Sequence, residues 1–179
     1  MTFNSGLVVA GVDPSLTSTG VVLSTGATHV VGRQGVTKLP EHKQHKAICD
    51  LAVQVADCCV HADLVVVERP VIVRAAGGVV ERIALWWDIC DLLGERGIPY
   101  VSVPNSLRFP FLFGSGKIRD KGAVVDAVAR RFPDFVTGGS DDVADALVYC
   151  AMGAQRMGVP LADMPKANLA CLDRINWPV

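Results

Sequence analysis

The sequence predicts an α/β fold on a mixed five-stranded sheet, three antiparallel strands followed by parallel ones, with helices on both faces. Three observations point there. The apolar run Leu7–Val12 is followed by two short β-branched stretches, joined through Asp13-Pro14-Ser15 and Thr25-Gly26-Ala27, which are turn-forming segments. After residue 41 the apolar period lengthens to that of helices, which then alternate with short strands. Leu64-Val65-Val66-Val67 is an unbroken apolar run, the pattern of a strand covered on both faces.

In chain order, Leu7–Val12, Gly20–Ser24 and Thr28–Arg33 form an antiparallel meander. Ile48, Leu51, Ala52, Val55 and Cys59 follow helical spacing within a helix from Glu41 to about Cys58. The strand at residue 64 ends in Glu68-Arg69-Pro70, and the right-handed crossover rule sets it beside the first strand. A second helix spans about Ala76 to Arg96 and closes on Gly97-Ile98-Pro99. Its apolar positions Val79, Val80, Ile83, Trp86, Trp87, Cys90 and Leu93 cover more than one stripe, which predicts a second buried contact, with another subunit. Tyr100–Val103 is the fifth strand, and Pro104–Gly116 reads as irregular. Helices follow over Asp120–Arg131 and from Ser140, a natural N-cap, to about Met157. Residues 1–157 thus form one domain, and residues 158–179 a tail without strong pattern.

Composition narrows the class. Of 179 residues, 50% are hydrophobic and 20% charged, which supports a packed core and excludes a disordered or collagen-like chain. The apolar runs fall well short of the roughly 18 residues of a membrane span, and no signal peptide is visible. Cysteines 49, 58, 59, 90, 150 and 171 lack C-x-x-C spacing and read as reduced core residues of a cytosolic protein. Between Arg69 and Arg131 lie ten Lys/Arg against six Asp/Glu, and elsewhere seven against twelve. A basic middle with acids around it suits a protein that grips phosphates and holds metal ions.

The acids fall at informative places. Asp13 sits where the first strand stops and Glu68 where the fourth stops, so parallel neighbours bring both to one carboxyl edge, the ligand edge of open α/β sheets. Asp142 and Asp145, three apart, share a face at the start of the last helix. Taken singly, each has an ordinary structural role in a turn or first helical turn. Together they would repel one another unless divalent metals neutralise them, and hard oxygen ligands select Mg²⁺ or Mn²⁺.

The segments Gly11–Gly20 (GVDPSLTSTG), Val65–Glu68 (VVVE) and Asp142–Leu147 (DVADAL) resemble the RuvC family of Holliday-junction resolvases, within the ribonuclease H-like superfamily, over about residues 7–155. The resemblance implies that Asp13, Glu68, Asp142 and Asp145 are catalytic, metal-binding carboxylates holding two Mg²⁺ ions, with Mn²⁺ able to substitute. Asp141 is adjacent to the third of these, but the resemblance favours Asp142, since the family's two helical acids are three apart, directly before the equivalent of Ala146-Leu147. It implies in-line phosphodiester hydrolysis, a four-way or other branched DNA substrate, a C2 homodimer matched to two symmetric cuts, and a cytoplasmic setting in a bacterial cell, with a short divergent chain like phage members.

The family's glycine-containing segment followed by a basic residue matches Gly114–Lys121; Lys121 fits best, with Lys117 a competing choice. Arg108 stands near an upstream basic position. Arg69, Arg108, Lys117, Arg119 and Lys121 are thus the expected DNA-binding residues. One departure bears on specificity. Family members often carry a base-stacking Phe three residues after the Glu, where this chain has Val71; Phe109, Phe111 or Phe113 is the available substitute. Looser cutting of flaps and forks, or binding of branched DNA without catalysis, are the rival expectations.

Overall fold

A computed structural model of the chain describes residues 6–71, 77–115 and 121–178. Five strands, β1 (Val9–Asp13), β2 (Thr19–Leu23), β3 (Thr28–Val31), β4 (Leu64–Arg69) and β5 (Tyr100–Pro104), form one sheet in the order β3-β2-β1-β4-β5. The first three are antiparallel, and β4 and β5 run parallel to β1. The helices are α1 (Glu41–Cys58), α2 (Val79–Glu95), α3 (Arg108–Phe113), α4 (Lys121–Arg131), α5 (Asp141–Arg156) and α6 (Lys166–Leu169). The mixed sheet and the placement of β4 beside β1 agree with the sequence reading. No helix among the described residues is long and apolar enough to cross a membrane.

Side chains alternate across a strand, and this alternation divides the core in two. Ala10, Val12, Val21, Val65 and Val67 face α1 and α2, where Ile48, Leu51, Val55, Leu85, Ile89 and Leu93 cover them. Val9, Val22, Leu64, Val66, Val101 and Val103 face the layer that contains α5. Asp13 and Glu68 share the parity of Val9 and Val66, so they belong to the α5 face.

The fit of α5 onto that face depends on missing side chains. A Cβ on Gly11 would stand 2.1 Å from the Ala146 carbonyl oxygen and 2.2 Å from the Cys150 amide nitrogen. One on Gly20 would stand 2.2 Å from the Asp142 carbonyl oxygen. Helix backbone therefore lies directly on strand backbone. The N-terminus of α5, capped by Ser140 Oγ accepting from the Val143 amide, sits over the ends of β1 and β2.

Two expectations need correction. Pro104–Gly116 is not irregular: a 3₁₀ turn at Asn105–Leu107 leads into α3, which ends at Gly114 with φ 72°. Leu107, Phe111 and Leu112 bury one side of this short helix, and Pro110 lies in its first turn, where a missing N–H leaves no intrahelical bond unmade. Six residues are too few for a period to emerge from the sequence. Residues 158–178 likewise have structure, α6 followed by a 3₁₀ turn at Ala170–Arg174. Cys171, Leu172 and Ile175 enter the α5-side core, and the buried Asn168 amide donates to the Phe111 carbonyl at 2.7 Å, fastening the end of α3.

The surplus apolar face of α2 splits between its two tryptophans. Trp86 turns inward and its Nε1 donates to Ser102 Oγ at 2.9 Å, whereas Trp87 remains 59% exposed. All six cysteines are unpaired thiols, with Cys59, Cys90, Cys150 and Cys171 buried and Cys49 and Cys58 half-buried.

Candidate active site

The three parallel strands end together. Val12 pairs with Val67, so Asp13 and Glu68 are the next residues outward on adjacent strands. Glu68 pairs in turn with Val103, and the chain beyond β5 turns back across this edge as Asn105–Leu107. Asn105 Nδ2 donates to Glu68 Oε1 at 2.6 Å. Arg108, the first residue of α3, is 5% exposed; its Nη1 pairs with Asp145 Oδ2 and stands 3.9 Å from Glu68 Oε2.

Helix α5 supplies the acids from above. Asp145, 7% exposed, lies one turn into the helix and joins Asp13, Glu68 and Arg108 in a single electrostatic cluster. Asp142 stands one turn earlier and half-buried, where its Oδ2 accepts from Ser18 Oγ of the β1–β2 turn at 2.5 Å. Asp141 is exposed. Asp13, Glu68 and Asp145 thus form a trio, and Asp142 is fastened at its rim.

Electrostatics follow from crowding acids in a dry place. Burial first, then repulsion from Glu68 and Asp145, pushes the Asp13 carboxyl well above the ordinary carboxylate range, with Arg108 pulling the other way. Burial also opposes the charge on Arg108, but Asp145 foremost, with Tyr149, Glu68 and Asp13, outweighs it and raises the guanidinium further. Tyr149, wholly buried one turn along α5 from Asp145, is pushed well up by burial and by Glu68. Three buried polar atoms here, Glu68 Oε2, Arg108 Nε and the Tyr149 hydroxyl, have no hydrogen-bond partner.

This donor set fits a hard divalent cation. Three carboxylates face one guanidinium, every available ligand is oxygen, and Glu68 Oε2 is buried without a bonded donor. Among the described residues no three His, Cys, Asp or Glu side chains already surround one point as metal ligands. Arg108 bridges Asp145 and Glu68 instead.

The basic residues are dispersed. Arg69 ends β4 exposed, with Nη2 donating to the Ser102 carbonyl at 3.4 Å. Lys117 and Arg119 lie outside the described residues, and Lys121 is the first residue of α4. Of the three candidate phenylalanines, Phe111 is fully buried in the core. Phe109 and Phe113 are half-buried with stacked rings 6.5 Å apart, and the Arg108 guanidinium lies 5.0 Å from the Phe109 ring centre. Asn105, Ser18 and Tyr149 were missed from sequence. Asn105 carried a usable signal, since it follows β5 as Glu68 closes β4; the other two depend on packing.

A five-stranded sheet in this order, with a helix laid across β1 and acids at the ends of β1 and β4, is a ribonuclease H-like architecture. Solved structures of RuvC share this fold. A structure of Thermus thermophilus RuvC matches at TM-score 0.65 and 19% identity, covering 89% of this chain and 100% of that one. T. thermophilus RuvC in complex with a Holliday junction substrate matches at TM-score 0.61 and 18% identity, covering 89% and 99%. The yeast mitochondrial Holliday junction resolvase Ydc2 matches at TM-score 0.54 and 12% identity, covering 93% and 80%. No family model and no curated protein matches the sequence.

Proposed function

We propose that this chain is a metal-dependent endodeoxyribonuclease that resolves four-way DNA junctions by paired, symmetric nicks. The observation that carries the reading is the meeting of Asp13, Glu68 and Asp145 at one sheet edge, on a fold shared with a RuvC solved on a Holliday junction substrate.

Asp13, Glu68 and Asp145 would hold Mg²⁺, two ions per site with Mn²⁺ able to replace them, and Asp142 completes the set from the rim. Bound there, such ions activate water and offset the charge that develops on a phosphodiester. The chain's own residues prepare the site. Asn105 fixes the Glu68 carboxylate by its 2.6 Å bond, and Ser18 fixes Asp142. The proton affinity of Asp13 opposes cation binding at low pH and yields as pH rises. Arg69, Lys117, Arg119 and Lys121 meet DNA phosphates, and Phe109 with Phe113 offers rings to an unstacked base. A C2 dimer would present two such sites to a four-way junction, with exposed Trp87 and Val80 on α2 as its apolar contact.

The test is cleavage of synthetic four-way, flap and linear duplex DNA by purified protein, with Mg²⁺ and with chelator. The reading expects Mg²⁺-dependent nicks in opposite junction arms at symmetric positions, and intact linear duplex. Flaps cut as fast as junctions would replace it with a looser branched-DNA nuclease. Junction binding without cleavage in Mg²⁺ or Mn²⁺ would replace it with a binding module.

A further inference from the structure

Arg108 is in an unusual place for a residue expected to meet DNA. It is almost wholly buried, pairs with Asp145, lies 3.9 Å from Glu68, and leaves its Nε without a partner. A phosphate-binding arginine needs donors free to reach phosphate oxygens; here Nη1 is taken up by Asp145. Its backbone is held in place, because it opens α3, whose far end is fastened by Asn168 and whose Phe111 is in the core.

We infer that Arg108 is the site's resident counter-ion, holding Asp145 and Glu68 together in the metal-free protein and competing with divalent cations for them. The inference rests on the metal-nuclease reading and goes beyond it by assigning the opposing cation. Three facing acids without any cation would carry a large repulsion in a medium far less polarisable than water. A guanidinium paired with Asp145 and 3.9 Å from Glu68 Oε2 relieves that repulsion, and the Asp145 oxygen it occupies is withheld from a metal ion. Cation binding at Asp145 therefore has to break its pair with Arg108, and the guanidinium so released is the phosphate-binding charge that the sequence placed at position 108.

The test measures binding, apart from cleavage. Mn²⁺ affinity, followed by the paramagnetic resonance of the free ion, is compared for wild type, R108Q and R108K, with circular dichroism verifying the fold. The expected result is at least tenfold tighter Mn²⁺ binding by R108Q, with R108K between. Unchanged or weaker binding by a folded R108Q overturns the inference. Should R108Q fail to fold, the ¹⁵N side-chain resonance of Arg108 in wild type, assigned through R108K, decides. A saturable shift on Mg²⁺ addition is expected, and a resonance indifferent to Mg²⁺ contradicts it. If wild type cuts junctions with Mg²⁺ while R108Q keeps the wild-type Mn²⁺ affinity, only the counter-ion role falls. If neither protein binds Mn²⁺ and wild type cuts nothing, the nuclease reading falls with it.

Discussion

Gly11 of β1 lies against Ala146 of α5 so closely that a Cβ on the glycine would stand 2.1 Å from the Ala146 carbonyl oxygen. This approach delivers Asp145 to the Asp13–Glu68 edge, because Asp145 and Asp13 extend past the contact in the same direction.

Gly11→Ala should therefore push backbone against backbone, which no rotamer change relieves, and lower stability by about 3 kcal/mol, the upper part of the overpacking range. Gly153→Ala is the control. Its Cβ would stand 2.7 Å from the Val9 Cγ1 and Val66 Cγ2 methyls and 3.5 Å from Leu64 Cδ2, side chains instead of backbone, so a smaller loss of about 1–2 kcal/mol is expected. Urea midpoints measure both, and equal losses would refute the spacer role.

Asp13 makes stability pH-dependent in chelator. Its carboxyl is raised in the folded state above the ordinary value near 4. Below that value the group is protonated in both states and contributes nothing. As pH rises past it, the unfolded chain releases the proton while the folded chain retains it, so stability falls until the folded group also ionises. Asp13→Asn removes this loss. Thermal melts in EDTA should show the variant gaining on wild type as pH rises above about 4, and a constant difference would contradict the assignment.

Asn105 bonds the Glu68 carboxylate, so Asn105→Ala should act through the position of that acid. Losing the bond to a buried carboxylate destabilises by about 1–3 kcal/mol. Cleavage should fall by more than the folded fraction does, with Asn105→Gln recovering part of it. Circular dichroism melts beside single-turnover cleavage at saturating Mg²⁺ separate the two effects.

The two faces of α3 predict opposite phenotypes. Phe111→Ala empties a fully buried position and should remove about 3–5 kcal/mol of stability. Phe109→Ala, at a half-buried site on the edge of that core, should lower the urea midpoint less than Phe111→Ala does, while weakening junction affinity by about 1–3 kcal/mol if the ring stacks on a base. Unchanged junction affinity would remove Phe109 from the DNA contact.

Much of this arrangement was legible because it follows from periodicity. An unbroken Val run ending in Glu68 and an apolar run ending in Asp13 place two acids at the ends of parallel neighbours, and the alternation of side chains puts both on one face. The three-residue spacing puts Asp142 and Asp145 within one turn of each other in α5. It did not foretell that Ser18 holds the first while Arg108 takes the second, since those partners come from turns whose course depends on tertiary packing. Arg108 was noticed for its charge, but its burial depends on α3, a helix too short to leave a periodic trace. For the same reason Phe111 looked equivalent to Phe109, though one fills the core and the other lies against the Arg108 guanidinium.

The most direct test of the carboxylate centre is single-turnover cleavage of a four-way junction in Mg²⁺ by wild type, Asp13→Asn and Glu68→Gln, with junction affinity measured on the same preparations. The predicted result is cleavage by wild type, a loss of at least about a hundredfold in both variants, as for removal of one electrostatic group from a catalytic centre, and retained binding. Either variant cutting the junction at a near-normal rate would contradict it.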